Sequence, residues 1–215
     1  MTYADAHFQQ YTDWAGKVKD GPYTDAELLE WAIITAHTGF TQSVEGFLAT
    51  RGVVSLTELA EALAQAAVIN PRNKAAYIIR LRGMIADGQV LPEPDYQDYR
   101  RHVKLPGLGF CKLSFGACLA DPFGATIICL DVHMGREYRP DLPIARIWSN
   151  LALYESVESE VLDEANAIGM PPFPYQWAVW DYTRLVHRHI SPTNHSFLWR
   201  GGPTTHQLPL FSALR

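Results

Sequence analysis

Residues 105–136 read LPGLGFCKLSFGACLADPFGATIICLDVHMGR. The opening Leu105-Pro106-Gly107-Leu108-Gly109 is a tight turn. Two glycines separated by one apolar residue let its backbone approach another chain closely. The helix-like FCKLSFGACLA follows, so the turn amides and the helix N-terminus can point at a phosphate. A turn that only joins two helices has the same composition. Further on, β-branching in ATIICLDVHMGREY predicts a short strand. Asp131 precedes a helix-like segment and reads as its N-cap.

On either side of this stretch the spacing is mostly helical. Thr24-Asp25-Ala26-Glu27 has the form of a capping box for a helix running through LLEWAIITAHTGF. Ser55 opens a second helix, with Leu56, Leu59, Ala60 and Leu63 on one face. Asn70-Pro71 starts a third, closed by Gly88. Val90 to Pro94 is a linker or turn, and DYQDYRRHVK is predicted helical. LPIARIWSNLALYESVESEVLDEANAIG gives one or two helices. The proline-rich MPPFPYQ leads into a helix at WAVWDYTRLVHRH, and the tail from Ser191 reads as irregular. No internal repeat or low-complexity tract occurs. The predicted fold is mostly α.

The chain has 215 residues, 47% of them hydrophobic and 19% charged, a globular composition that rules out intrinsic disorder. A chain of this length folds without disulfides or a metal. Its net charge of −5 argues against a coat of basic residues for indiscriminate nucleic-acid binding, although a local basic groove remains compatible. Cys111, Cys118 and Cys129 form no CxxC pair and read as reduced thiols, expected of a cytoplasmic protein. The first residues carry no basic and apolar leader pattern, and no apolar run reaches the roughly eighteen residues of a membrane span.

Residues 105–136 resemble the helix-hairpin-helix DNA glycosylase superfamily, the endonuclease III and adenine-glycosylase group. There the hairpin LPG-hydrophobic-G and its helix lead to an aspartate in Asp-x-His-x-x-Arg, here Asp131-Val132-His133-Met134-Gly135-Arg136. Asn73-Lys74-Ala75 resembles the family's Asn-x-Lys-Ala helix. The segment from Trp31 to Phe47 resembles the first core helix, whose end at the base pocket carries Thr41 and Gln42 here. The resemblance implies a two-lobed helical fold over residues 1–150 with the hairpin at 105–110, and an added C-terminal part at 151–215. It implies double-stranded DNA as partner, with one nucleotide flipped out because side chains cannot reach a stacked base. Gly107, Gly109, Lys112 and Arg136 would contact phosphate, with a monovalent cation assisting at the hairpin. Asp131 would face the sugar, stabilising an oxocarbenium-like centre and orienting the nucleophile. Thr41, Gln42, Cys111, His133, Trp177 and His195 would line the base pocket.

Several residues depart from the family pattern. The Schiff-base lysine of bifunctional members lies two positions after the second hairpin glycine, which is Cys111 here. Lys112 is one residue further, about 100° around a helix. It is therefore expected to leave the pocket as a solvated or phosphate-contacting cation, unless a one-residue insertion in the hairpin makes it the nucleophile. Cys111 reads as packing or as a thiol activated by a helix N-terminus. No cysteine follows Cys129, which excludes the family's iron–sulfur cluster. No His/Cys cluster has zinc spacing, and His187 and His189 point to different faces of a helix.

The C-terminal part is rich in aromatic and histidine residues. Trp177, Trp180 and Arg184 share a helical face, which reads as core packing or as a pocket wall with Asn194 and His195 as polar contacts. Three functions fit: a monofunctional glycosylase using Asp131; a bacteriophage-type enzyme that transfers an amine or amino acid onto a pyrophosphate-activated hydroxymethyluracil in DNA; and a non-catalytic DNA-binding module. If DNA binds, Lys74, Arg80, Arg100, Arg101, Lys104, Lys112 and Arg136 are expected to line one face.

Overall fold

The computed structural model describes residues 2–89, 100–101 and 104–188. Among them are eleven helices and no strand: α1 (Tyr3–Ala6), α2 (Phe8–Lys19), α3 (Asp25–Thr35), α4 (Phe40–Thr50), α5 (Leu56–Gln65), α6 (Pro71–Ala86), α7 (Phe110–Ala120), α8 (Val132–Tyr138), α9 (Ile144–Trp148), α10 (Leu151–Ala167) and α11 (Pro172–Arg188). Arg100 and Arg101 are also helical, while residues 95–99 and 102–103 of the helix expected before the hairpin lie outside the described residues, as does everything from His189 onward.

Two helices form the middle of the molecule. All eight residues from Leu28 to Thr35 of α3 are buried, and α7 is buried at Cys111 and from Leu113 to Leu119. A helix apolar all round belongs at the centre. The two pack closely because Gly116 lacks a side chain; a Cβ there would lie 2.9 Å from Leu29 Cδ2. Trp31 of α3 fills the surrounding space, stacking on Phe47 at 5.6 Å and meeting Phe115 edge-on at 5.3 Å. Helices α4, α5 and α6 pack on one side of this pair. On the other side, α11 packs against α1, α2, α8 and α10.

Local chemistry explains most boundaries. Thr24 and Glu27 form the expected capping box, with the Thr24 amide donating to Glu27 Oε2 at 2.8 Å. Helix α6 starts at Pro71 and ends at Ala86, and Gly88 (φ +69°) stops it just beyond, where Gln89 and Gly88 amides donate to Met84 and Ile85 carbonyls. In α5, Leu59 and Leu63 are buried but Leu56 is 49% exposed, since it sits in the first turn beyond the packed face. The residues expected as one or two helices after Leu142 form two. Asn150 caps the second, its Oδ1 accepting from the Leu153 amide. Helix α11 starts at Pro172, inside the stretch read as a proline-rich lead.

Two expectations are corrected. The helix opened at Thr24 does not continue through Phe40: α3 ends at Thr35 and α4 begins at Phe40. The ammonium of Lys74 occupies the break, donating to the carbonyls of Ile34 (2.7 Å) and Ala36 (2.6 Å) and to Thr38 Oγ1 (2.6 Å). The two carbonyls are orphan acceptors of a helix end. His37 then turns the chain with φ +57°. The predicted strand is also absent. Ile128, Cys129 and Leu130 amides donate instead to Glu158 Oε1 (2.7 Å), Gln176 Oε1 (2.9 Å) and the Tyr154 hydroxyl (3.0 Å). Side chains of α10 and α11 satisfy amides that a neighbouring strand would otherwise take.

Candidate functional site

The hairpin is a β-turn. The Leu108 amide donates to the Leu105 carbonyl at 3.2 Å, with Pro106 and Gly107 between them and Gly107 at φ +73°. Pro followed by a positive-φ glycine is the type II arrangement. A Cβ on Gly107 would also lie 2.6 Å from Tyr77 Cδ2. Gly109 is the N-cap of α7 and supplies no side-chain acceptor, so the first amides of α7 face outward from the turn.

This helix end opens on a cavity of about 700 Å³. Its walls come from four places: the α3–α4 break and start of α4, the hairpin with the first turns of α7, the segment from Cys129 to His133 together with Trp148, and α11. Asp131 is the carboxylate in it. Its Oδ1 accepts from the amides of His133 (2.8 Å) and Met134 (3.1 Å), as a helix N-cap, and its Oδ2 accepts from Trp180 Nε1 at 2.8 Å. The N-cap reading and the pocket reading therefore describe the same side chain. Three N–H donors fix its orientation.

The approach to Asp131 is equally anchored. Arg100, 7% exposed, forms a two-pronged pair with Glu158 at 2.7 and 2.9 Å and donates to Ser114 Oγ. Glu158 in turn holds the Ile128 amide. Trp148 Nε1 donates to the Leu130 carbonyl at 2.7 Å. The chain just before Asp131 is thus bonded on both its amide and carbonyl sides.

Lys112 lines the cavity with Cys111, Cys129 and Asp131. Here the expected 100° rotation does not carry it away. Cys111 and Lys112 both lie in the first turn of α7, whose end faces the cavity, and the long lysine stem reaches around it. Burial opposes the Lys112 charge, yet Cys111, Cys129 and Asp131 outweigh that and hold its pKa above the ordinary lysine value. Behind it, burial and the charge of Lys112 push Lys74 down to about 8.

On α11, Trp177 packs against Trp14 (4.8 Å), Phe40 (5.6 Å) and Trp180 (5.0 Å). It also lines the cavity, so the core and pocket-wall readings of this face coincide. Trp180 meets His133 edge-on at 5.7 Å and carries the Arg184 guanidinium 4.1 Å from its ring centre.

Gly107, Gly109, Cys111, Lys112, Asp131, His133 and Trp177 thus meet around one cavity. Thr41 and Gln42 are not among its lining residues; Thr38, Phe40 and Ser43 are, because the break before α4 turns a different edge of that helix inward. Arg136 is exposed on α8 and away from the cavity. His195 and Asn194 lie outside the described residues. Lys74, 5% exposed, and Arg100 are committed to internal contacts, which removes both from the expected basic face. Sequence reasoning missed Cys129 and Gln176 as wall residues. Cys129 stands two residues before Asp131, a nearness in sequence that was a usable signal. Gln176 offered none. Among the described residues, no group of three His, Cys, Asp or Glu side chains could hold a metal, and no helix is long and apolar enough to cross a membrane.

No family model matches the chain, and neither does any curated protein sequence. Its fold is similar to the crystal structure of the 8-oxoguanine DNA glycosylase of Thermotoga maritima. The TM-score is 0.66 at 18% identity, over 88% of this chain and 94% of that one. The chain thus has the helical fold of a DNA glycosylase.

Proposed function

We propose that this protein acts on DNA, taking one flipped nucleotide into the cavity and hydrolysing its base–sugar bond with Asp131 as the catalytic carboxylate. The observation that carries this reading is the placement of Asp131, held by three N–H donors in the wall of the cavity that also receives the α7 N-terminus and Lys112. A fixed carboxylate stabilises positive charge developing on the sugar and orients the attacking water. The hairpin amides and the α7 N-terminus would take a backbone phosphate, while His133 and the tryptophans would face the base.

Lys112 favours hydrolysis without strand cleavage. A Schiff base requires the free amine, and the surroundings of Lys112 favour its ammonium form. Its role in this reading is to stabilise the departing base or the phosphate.

The cavity volume favours a second reading. About 700 Å³ suits a drug-sized ligand rather than one base alone. An amine or amino acid could attack the methylene carbon of a pyrophosphate-activated hydroxymethyluracil. A C–N bond forms, the C–O bond to pyrophosphate breaks, and the amine proton passes to Asp131 or water.

One experiment separates these. Duplexes carrying 8-oxoguanine, named for the structural relative, or uracil, hydroxymethyluracil and its pyrophosphate are incubated with and without added amines. Abasic sites lost on Asp131→Asn support hydrolysis. An amine-dependent mass gain supports transfer. DNA binding with neither product, unchanged by Asp131→Asn, refutes both and leaves a binding module. Covalent DNA trapping by borohydride, lost in Lys112→Gln, overturns the assignment of Lys112.

A further inference from the structure

Two thiols of this cavity take no part in that reaction. Cys111 Sγ and Cys129 Sγ lie 3.5 Å apart, both less than a tenth exposed to bulk solvent, and both side chains belong to the cavity wall. They come from different elements. Cys111 occupies the second position of α7, and Cys129 the non-helical segment that precedes Asp131. Neither support is loose. Helix α7 is packed against α3, and the Cys129 amide is bonded to Gln176 between the anchored amides of Ile128 and Leu130. A disulfide requires the sulfurs to approach to about 2.05 Å, a side-chain movement of roughly the length of one bond.

We propose that Cys111 and Cys129 form a redox modification site whose substrate is a small hydroperoxide, with Cys111 as the attacking thiol and Cys129 as the resolving one. The two have opposite characters. The hydrogen bond shared with Cys129, in which either sulfur can donate, the place at a helix N-terminus and the adjacent Lys112 ammonium favour the Cys111 thiolate; its pKa is lowered although burial opposes this. The bond to Cys111 and burial raise Cys129 well above the ordinary thiol value. The first step breaks the peroxide O–O bond. The Cys111 sulfur takes one oxygen as sulfenic acid, and the other leaves as alcohol or water after gaining a proton. In the second step the Cys129 thiol attacks the Cys111 sulfur, the S–S bond forms and water leaves. Two thiols are oxidised and one peroxide is reduced. A dithiol reverses the change by exchange.

Cys118 is the internal control. It is fully buried, donates to the Ile127 carbonyl at 3.1 Å, lies outside the cavity wall, and burial raises its pKa. The bridge would tie the first turn of α7 to the segment leading into Asp131, on the wall facing a bound nucleotide.

The test uses the unaltered full chain. It is treated with hydrogen peroxide, alkylated under denaturing conditions, digested and analysed by mass spectrometry without reduction. The expected product is a single cross-linked peptide joining Cys111 to Cys129, with Cys118 alkylated, and full recovery of three thiols after dithiothreitol. Cys111 should be lost at least about tenfold faster than Cys118. In Cys129→Ser, Cys111 should be trapped by dimedone as a sulfenic acid; in Cys118→Ser the bridge should still form. Sulfinic acid on Cys111 of the unaltered chain with Cys129 still alkylatable would overturn the proposal. Equal oxidation of all three thiols, or none by excess peroxide, would overturn it as well. None of these readouts depends on the reaction the enzyme performs on DNA.

Discussion

Exchanging Asp131 for asparagine is the natural probe of the catalytic reading, and the structure says that it also perturbs the fold. Asparagine is as good an N-cap as aspartate, so the bonds from the His133 and Met134 amides at 2.8 and 3.1 Å can persist. The second oxygen is different. It accepts from Trp180 Nε1 at 2.8 Å, and in Asp131→Asn an amide NH₂ would face that indole N–H, donor against donor. A hydrogen bond to a charged group contributes about 1.5–3 kcal/mol. We therefore expect Asp131→Asn to lose about 2 kcal/mol of stability, a fall of roughly 4–8 °C in Tm for a chain of this size. Trp180→Phe removes the conflicting donor. The double variant should then be more stable than the sum of the single changes predicts, by about 1–2 kcal/mol. Urea unfolding of the four proteins, followed by circular dichroism, measures this coupling. Base excision measured on the same four separates chemistry from folding: the double variant should recover stability and stay inactive. A coupling below about 0.5 kcal/mol, or an Asp131→Asn protein as stable as its parent, would refute the reasoning.

Other substitutions test the frame around the site. Glu158→Ala leaves the Arg100 guanidinium buried and the Ile128 amide without its acceptor. It should cost about 3–5 kcal/mol in chemical denaturation, and Arg100→Met combined with Glu158→Leu should recover a large part. Gly107→Ala forces a left-handed alanine at about 1–2 kcal/mol and displaces Tyr77. Fluorescence anisotropy with a labelled duplex should show weaker DNA binding as well as lower stability. For Lys74 the sign follows from its pKa of about 8 in the folded chain against 10.5 unfolded. Between these values the unfolded state binds more protons, so stability rises with pH. The contribution is complete above the unfolded value and is lost as pH falls through about 8. Relative to Lys74→Met, the parent should gain roughly 1.4 kcal/mol per pH unit at most between pH 8 and 10. Urea unfolding of both proteins across that range checks it, and a flat difference refutes it.

Local chemistry was legible wherever neighbouring residues carry it. The capping box at Thr24, the Pro71 start and Gly88 stop of α6, the turn at Leu105–Gly109 and the N-cap at Asp131 each need only a few adjacent residues. The short strand expected within Ala125–Tyr138 failed for the opposite reason. β-branching records a preference for extended backbone in a ladder, but the hydrogen-bond partners of the Ile128, Cys129 and Leu130 amides are the side chains of Glu158, Gln176 and Tyr154. Nothing in the segment's own residues announces partners far along the chain. The helix break after Thr35 has the same origin, because the lysine that donates to its carbonyls belongs to α6.

By itself the sequence determined a mostly helical chain, the hairpin with its helix, and Asp131 as the carboxylate to watch, since periodicity, capping and glycine conformation are short-range properties. Only the tertiary structure decided which side chains share the cavity. It brought in Lys112, which helical rotation alone turned away; it left Thr41, Gln42 and Arg136 outside; it withdrew Lys74 and Arg100 into the interior. It also set Trp180 on Asp131 and Cys129 against Cys111. These are contacts between elements tens of residues apart, and close packing of helices, rather than any local preference, fixes them.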